Sequence, residues 1–98
     1  MASTQHYYTY ILKCSDDSYY VGSTDDLPQR LARHNSGLAS AWTAARRPVQ
    51  LVYSEPYLSQ SQAVKRERQI KKWSCAKKTA LIQGNLAALK ALSKRRKR

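Results

Sequence analysis

The chain has 98 residues, 42% of them hydrophobic, with 18 lysines and arginines against 6 acidic residues and a formal charge of +12. That length supports one modest core and is too short for two, and the apolar content predicts a folded chain. No apolar run approaches bilayer-spanning length and no secretory signal pattern is seen, so a cytoplasmic protein is expected.

Charge is distributed unevenly. Residues 1–59 balance five basic side chains (Lys13, Arg30, Arg33, Arg46, Arg47) against five acidic ones (Asp16, Asp17, Asp25, Asp26, Glu55), so the whole excess lies in residues 60–98. A half-chain this basic suggests a polyanionic partner, nucleic acid first and an acidic membrane surface second. The simpler reading is a solvated, solubilising surface. Cys14 and Cys75 form no C-x-x-C pair, and with His6 and His34 as the only histidines a structural zinc site is not expected. Two free thiols suit a reducing compartment, although sequence alone leaves a bridge between them open.

Residues 1–6 are polar and expected to fray. YYTYILK at 7–13 is aromatic and β-branched and predicts a strand; CSDDS at 14–18 predicts a turn; YYVGS at 19–23 predicts a second strand. Gly22, near the end of that strand, points to a bulge or a close backbone approach. A helix follows, with Asp26 as N-cap, Pro28 in its first turn, Gln29 at the capping-box position and Gly37 as terminator. Its periodicity puts Leu27, Leu31 and His34 on one stripe, with Arg30 at the stripe's edge.

Residues 38–48, containing Trp42, Arg46 and Arg47, show no period and read as a loop near a ligand. VQLVYS at 49–54 alternates as a third strand, closed by Glu55 and Pro56. Ser59 with Gln62 marks the start of a helix over about 60–72 that puts Ala63, Glu67 and Ile70 on one face. Ser74 caps a further helix to residue 83. Gly84 breaks it, and Asn85 caps a last one through Leu86, Leu89 and Leu92, ahead of a basic SKRRKR tail read as disordered.

Glu67 stands out because it is the only acidic residue after position 55, on the apolar face of a basic helix. A carboxylate there needs compensation, since desolvating an ion costs several kcal/mol. An ion pair with Lys71, four residues on, would supply it, and so would a divalent metal. Most strand tyrosines are core residues, and a phenol of pKa about 10 is a poor base at neutral pH, but a metal and cationic groups nearby would favour the phenolate. Phosphodiester hydrolysis needs an orienter or base for water, a cation on the non-bridging oxygens, and help for the leaving oxygen. Tyr10, Tyr20, Arg30 and Glu67 with a metal could supply these, with His34 buffering a proton or binding phosphate. The simpler alternatives are a solvated Arg30 and a packed His34.

In this order, Tyr8-Thr9-Tyr10, Tyr20-Val21-Gly22-Ser23-Thr24, D-L-x-x-R-L-x-x-H-N-S-G from Asp26 to Gly37, and A-V-K-R-E-x-Q-I-K-K from Ala63 to Lys72 resemble the GIY-YIG nuclease superfamily, and its small stand-alone bacterial members in particular. The resemblance covers residues 7–83, leaving 1–6 as a flexible start and 84–98 as a C-terminal helix and basic tail. It implies an α/β fold of the α+β type, a three-stranded antiparallel sheet flanked by helices. It also implies one-metal hydrolysis of DNA, with Tyr10 as general base, Tyr20 positioning water or phosphate, Arg30 stabilising phosphate charge, Glu67 binding Mg²⁺ or Mn²⁺, and His34 assisting. Tyr8 stands where the first signature has glycine, and Val21 where the second has isoleucine; both departures should affect packing more than chemistry.

Arg46, Arg47, Lys65, Arg66, Arg68, Lys71, Lys72, Lys77 and Lys78 are the candidate nucleic-acid contacts, those of the C-terminal half along one surface. No base-reading pattern accompanies them, so weak sequence preference is expected. The leading expectation is a DNA endonuclease of repair or processing, with RNA and branched substrates open. The alternative is a nucleic-acid-binding protein that keeps the fold without catalysis. A membrane-surface protein is a weaker third reading, because the helices lack a broad apolar face.

Overall fold

The structure, a computed structural model, describes residues 5–94. Its elements are β1 (Tyr7–Lys13), β2 (Tyr19–Thr24), α1 (Leu27–Asn35), α2 (Ala41–Ala44), β3 (Gln50–Tyr57), α3 (Gln60–Lys71), α4 (Cys75–Gln83) and α5 (Leu86–Lys94). The strands form one antiparallel sheet in the order β2-β1-β3, which leaves β2 and β3 as its edges. This is the expected α+β architecture.

Alternation along β1 sends its side chains to opposite faces of the sheet, and both faces are covered. Tyr10, Leu12, Cys14 and Val49 form a core with Tyr20 and with Leu27 and Leu31 of α1. On the other face Ile11, Val21 and Ile70 pack with Trp73, Leu81 and Ile82, and the Thr9 hydroxyl donates to the Ala63 carbonyl of α3 at 2.8 Å. The two cysteines are free, Cys14 buried and Cys75 exposed.

Caps fall where the sequence puts them. Asp26, Ser59 and Ser74 each accept from a backbone N–H three residues on, each satisfying an otherwise orphaned donor. The Asn85 carboxamide accepts from Ala88 N–H in the same way. α1 closes at Ser36, and Gly37 follows at φ 84°, a left-handed backbone that suits glycine.

Two expectations need correction. Residues 38–48 are not all loop: Ser40 caps the short helix α2, its hydroxyl accepting from Thr43 N–H. A four-residue helix is too brief to show a period. The segment is also pinned. Ser15 donates to the Arg46 carbonyl through both its N–H and its hydroxyl at 3.0 Å, and the Asn35 carboxamide pairs with both backbone groups of Val49. The third strand, in turn, runs past Glu55 and Pro56 to Tyr57. Proline is tolerated there because β3 is an edge, and Glu55 is an anchor. Arg66 donates to both its oxygens at 2.9 and 3.1 Å, and the Tyr53 and Tyr57 hydroxyls donate to it as well. Burial alone would raise the Glu55 pKa, but the hydrogen bonds from Arg66 and the two tyrosines outweigh it and hold it below the usual range.

The bulge that Gly22 suggested lies elsewhere. Ile11 pairs with Tyr53 and Leu12 with Leu51, so Val52 is the extra residue, in β3.

Candidate active site

The site begins at one cross-strand pair, Tyr10 opposite Gly22. A phenol on β1 would normally stop against the side chain opposite. Glycine has none, and the Tyr10 hydroxyl lies over Gly22, only 2.5 Å from where a Cβ would stand. The central-strand phenol therefore reaches across the edge strand. From α1, His34 meets it: Nε2 is 2.9 Å from the Tyr10 oxygen, with both residues almost fully buried. The Tyr20 ring packs edge-on against His34, centroids 4.9 Å apart, and lies tilted toward Trp42 of α2.

Ser23 carries the site around the strand to the other face. Its carbonyl accepts from Arg30 Nη1 at 3.5 Å, and its hydroxyl donates to Glu67 Oε1 at 2.8 Å. Glu67 Oε2 meets Lys71 Nζ at 2.8 Å. The ion pair expected as one compensation for Glu67 is thus present. Both partners sit on the side of α3 toward β2, and the Lys71 ammonium is half exposed and free to swing away. A cleft of about 240 Å³, lined by Ser23, Arg30, Tyr7 and Gln60 among others, opens beside them.

Burial first, and the neighbouring Tyr20 second, push the Tyr10 pKa up to about 12; Arg30 opposes the shift without reversing it. Among the protein's own groups, burial outweighs the Arg30 charge that would favour a phenolate. Tyr10 rests as a phenol, and it can take a proton from water only by passing its own to a partner. Burial, then the charges of Arg30 and Arg33, hold the His34 pKa below its ordinary value. The imidazole is therefore neutral at neutral pH and can accept.

Stability follows from the same shift. The folded chain binds fewer protons at His34 than the unfolded chain, so this contribution is complete above the ordinary value of about 6.5 and is lost as pH falls through the folded value. Melting temperatures of the wild type and His34→Gln between pH 8 and pH 5 check this. The wild type should lose more stability on acidification than the variant; equal losses would place the dependence elsewhere.

The basic residues do not line one surface. Arg66 and Lys71, five positions apart on α3, diverge by about 140° at about 100° per residue, and Arg66 faces β3 while Lys71 faces β2. Arg66 is engaged with Glu55 and Gln69. Arg46 pairs with Asp16 and covers the Trp42 ring, Arg47 donates to the Ala44 carbonyl, and Lys77 sits over Trp73. Lys65 and Arg68 on α3 and Lys72 at its C-cap are exposed. Sequence reasoning missed Ser23 and Thr43. Ser23 lay in plain view inside Y-V-G-S-T, and the Ser40-x-x-Thr43 capping spacing was the only trace of the second.

The model of the GIY-YIG catalytic domain matches residues 6–80. The chain belongs to the GIY-YIG family. A UPF0213 protein of Staphylococcus saprophyticus is 47% identical over 78% of this chain and 93% of its own length, and one of Bacillus pumilus is 43% identical over 85% and 84%. Two solution NMR structures are similar at 36% identity: a protein from E. faecalis (TM-score 0.56, 88% of this chain and 93% of that one) and a UPF0213 protein from Bacillus halodurans (TM-score 0.52, 80% and 83%). Within the GIY-YIG domain, no helix among the described residues is long and apolar enough to cross a membrane.

A divalent ion fits the donor set in one way. Among the described residues no three His, Cys, Asp or Glu side chains converge to cage a metal. Mg²⁺, however, keeps most of its waters and commonly takes one or two carboxylates. Glu67, held by the Ser23 hydroxyl and with a half-exposed ammonium as its present counter-ion, suits that mode.

Proposed function

We propose that this protein is a metal-dependent endonuclease that hydrolyses phosphodiester bonds of DNA with weak sequence preference. The observation that carries the reading is the Tyr10 phenol, laid across Gly22 with a neutral imidazole 2.9 Å behind it, near a cleft lined by Arg30 and by Ser23, whose hydroxyl donates to Glu67.

The substrate phosphate occupies the cleft, where the Arg30 guanidinium takes the charge that builds on the non-bridging oxygens. Tyr10 accepts a proton from the attacking water as its own proton passes to His34 Nε2. Tyr20, with no partner for its hydroxyl among the described residues, orients water or phosphate. Glu67 would hold Mg²⁺ or Mn²⁺, which when bound acts as a Lewis acid on the phosphate and the departing 3′ oxygen. The products are a 5′-phosphate and a 3′-hydroxyl. The exposed lysines and arginines of α3 supply sequence-independent affinity through the backbone phosphates. Members of one fold can lose chemistry, so catalysis is tested directly.

Purified protein is incubated with labelled duplex, single-stranded and branched DNA, and with RNA, with and without Mg²⁺ or Mn²⁺, beside Tyr10→Phe. Metal-dependent cutting is expected, slowed roughly 10²–10⁴-fold without the phenolic oxygen. Salt-sensitive binding with no cutting of any substrate would replace this reading with a non-catalytic nucleic-acid-binding protein.

A further inference from the structure

We propose that Thr43, backed by Ser40, is a positioning residue that holds His34 in the Nδ1–H tautomer, so that the bare Nε2 faces the Tyr10 hydroxyl. The inference rests on the hydrolytic reading above for its role in rate, and on geometry alone for the tautomer.

Thr43, the third residue of α2, is completely buried, and its Oγ1 lies 2.8 Å from His34 Nδ1. Behind it are the Ser40 carbonyl at 3.3 Å and the Ser40 hydroxyl at 2.9 Å. A neutral imidazole has one N–H and one bare nitrogen, so two proton arrangements fit this row. In the first, Nδ1–H donates to Thr43, Thr43 donates to Ser40, and Nε2 accepts from Tyr10. In the second, Ser40 donates to Thr43, Thr43 donates to Nδ1, and Nε2–H donates to the Tyr10 oxygen. The second leaves the Tyr10 proton no acceptor within the protein. Among the described residues the Tyr10 hydroxyl has no acceptor other than Nε2, and Arg30 beside it can only donate. A buried donor without an acceptor is rare in folded proteins because it is costly. The first arrangement leaves no such orphan.

The two tautomers differ in what they allow. With Nδ1–H, Nε2 takes the Tyr10 proton and the imidazolium that forms keeps its donor bond to Thr43. With Nε2–H, the same nitrogen is already occupied and Tyr10 has nowhere to send its proton. Thr43 is fully buried and its hydroxyl contacts only His34 and Ser40 among the described residues, so its part is to orient His34. The sequence gives that part a simple origin: the spacing Ser40-x-x-Thr43 that caps α2 also sets the Ser40 hydroxyl against Thr43, whose own hydroxyl meets the imidazole. The pinned 38–48 segment thereby becomes part of the site's support.

The decisive measurement is the ¹⁵N chemical shifts of the His34 ring nitrogens in the folded wild type at about pH 8, which report the tautomer without any variant or substrate. Nδ1–H is expected; Nε2–H would overturn the proposal. Thr43→Val then removes the acceptor at similar volume, and Thr43→Ser restores it. Thr43→Val should lose the Nδ1–H preference and cleave roughly 10–100-fold more slowly, the size of effect that outer residues exert on an oriented histidine, with Thr43→Ser returning toward wild type in both. A Thr43→Val protein that keeps both the tautomer and the rate overturns the role. A wild type that cuts no substrate defeats the hydrolytic reading, while the ring shifts still decide the tautomer.

Discussion

Glu67→Gln should abolish metal-dependent cleavage while leaving the fold intact. The replacement is nearly isosteric and its carbonyl oxygen can still accept from the Ser23 hydroxyl, so the contact at 2.8 Å survives. What is lost is the charge. The Lys71 ammonium loses its partner, but it is half exposed and water takes over, so the stability change should stay within about 1 kcal/mol. Cleavage depends on the charge far more strongly. Glu67 is the only acidic side chain after position 55, and no cluster of three metal-ligating side chains stands in for it among the described residues, although Asp25 also lines the cleft. Loss of a preorganised group that stabilises transition-state charge slows a reaction by roughly 10²–10³-fold, and losing the metal with it should exceed that. Arg30→Ala should fall in the same range by removing the guanidinium from the cleft. Single-turnover cleavage, Mn²⁺ titration and melting curves on the three proteins separate the effects. Glu67→Gln cutting at the wild-type rate would mean the hydrolytic centre lies elsewhere or the activity belongs to a contaminant.

The fold was largely legible because its signals are local. Tyr7–Lys13 and Tyr19–Thr24 declare themselves by residue type, and Asp26, Ser59 and Ser74 mark helix starts by the chemistry of one side chain each. The face of α3 carrying Ala63 and Ile70 follows from spacing, and both are completely buried. What escaped depends on contacts distant in the chain. Pro56 and Glu55 looked like a strand end until Arg66, eleven positions on, supplied the partner that keeps Glu55 in the strand. The 38–48 segment lacks any period, and its order comes from Ser15 and Asn35, neither of which advertises that role. At the site the sequence brought out Tyr10, Tyr20, Arg30, His34 and Glu67, and the structure gathers them around β2. It could not show how deeply Tyr10 is buried. The expected fraying of residues 1–6 and disorder of the basic tail fall mostly outside the described residues.

Gly22→Ala should damage stability and cleavage together, through space and not through backbone conformation. Gly22 does not need a left-handed φ; only Gly37 and Gly84 adopt one among the glycines. A methyl at Gly22 would stand 2.5 Å from the Tyr10 oxygen, 2.7 Å from its ring Cζ and 3.1 Å from Tyr20 Cε2. Neither ring can easily yield. Tyr10 is a rigid, 2% exposed side chain in the core with Leu12 and Cys14, and its hydroxyl is tied to His34. Overpacking of this kind costs about 1–3 kcal/mol. The phenol that gives way also leaves its hydrogen-bond position, and a displacement near 1 Å at a reacting group costs on the order of 10²-fold in rate. A double variant tells this apart from general damage. Tyr10→Phe removes the oxygen that meets the methyl first, so Gly22→Ala should destabilise the Tyr10→Phe protein less than it destabilises the wild type, a non-additivity expected only of residues in contact. Full rescue is not expected, because the ring carbon at 2.7 Å remains. Cleavage should stay low in the double variant, since the phenolic oxygen is gone. Strictly additive stabilities, or a Gly22→Ala protein with wild-type melting and wild-type cleavage, would show that Tyr10 does not lie across Gly22 and would remove the geometric basis for its role as the proton relay.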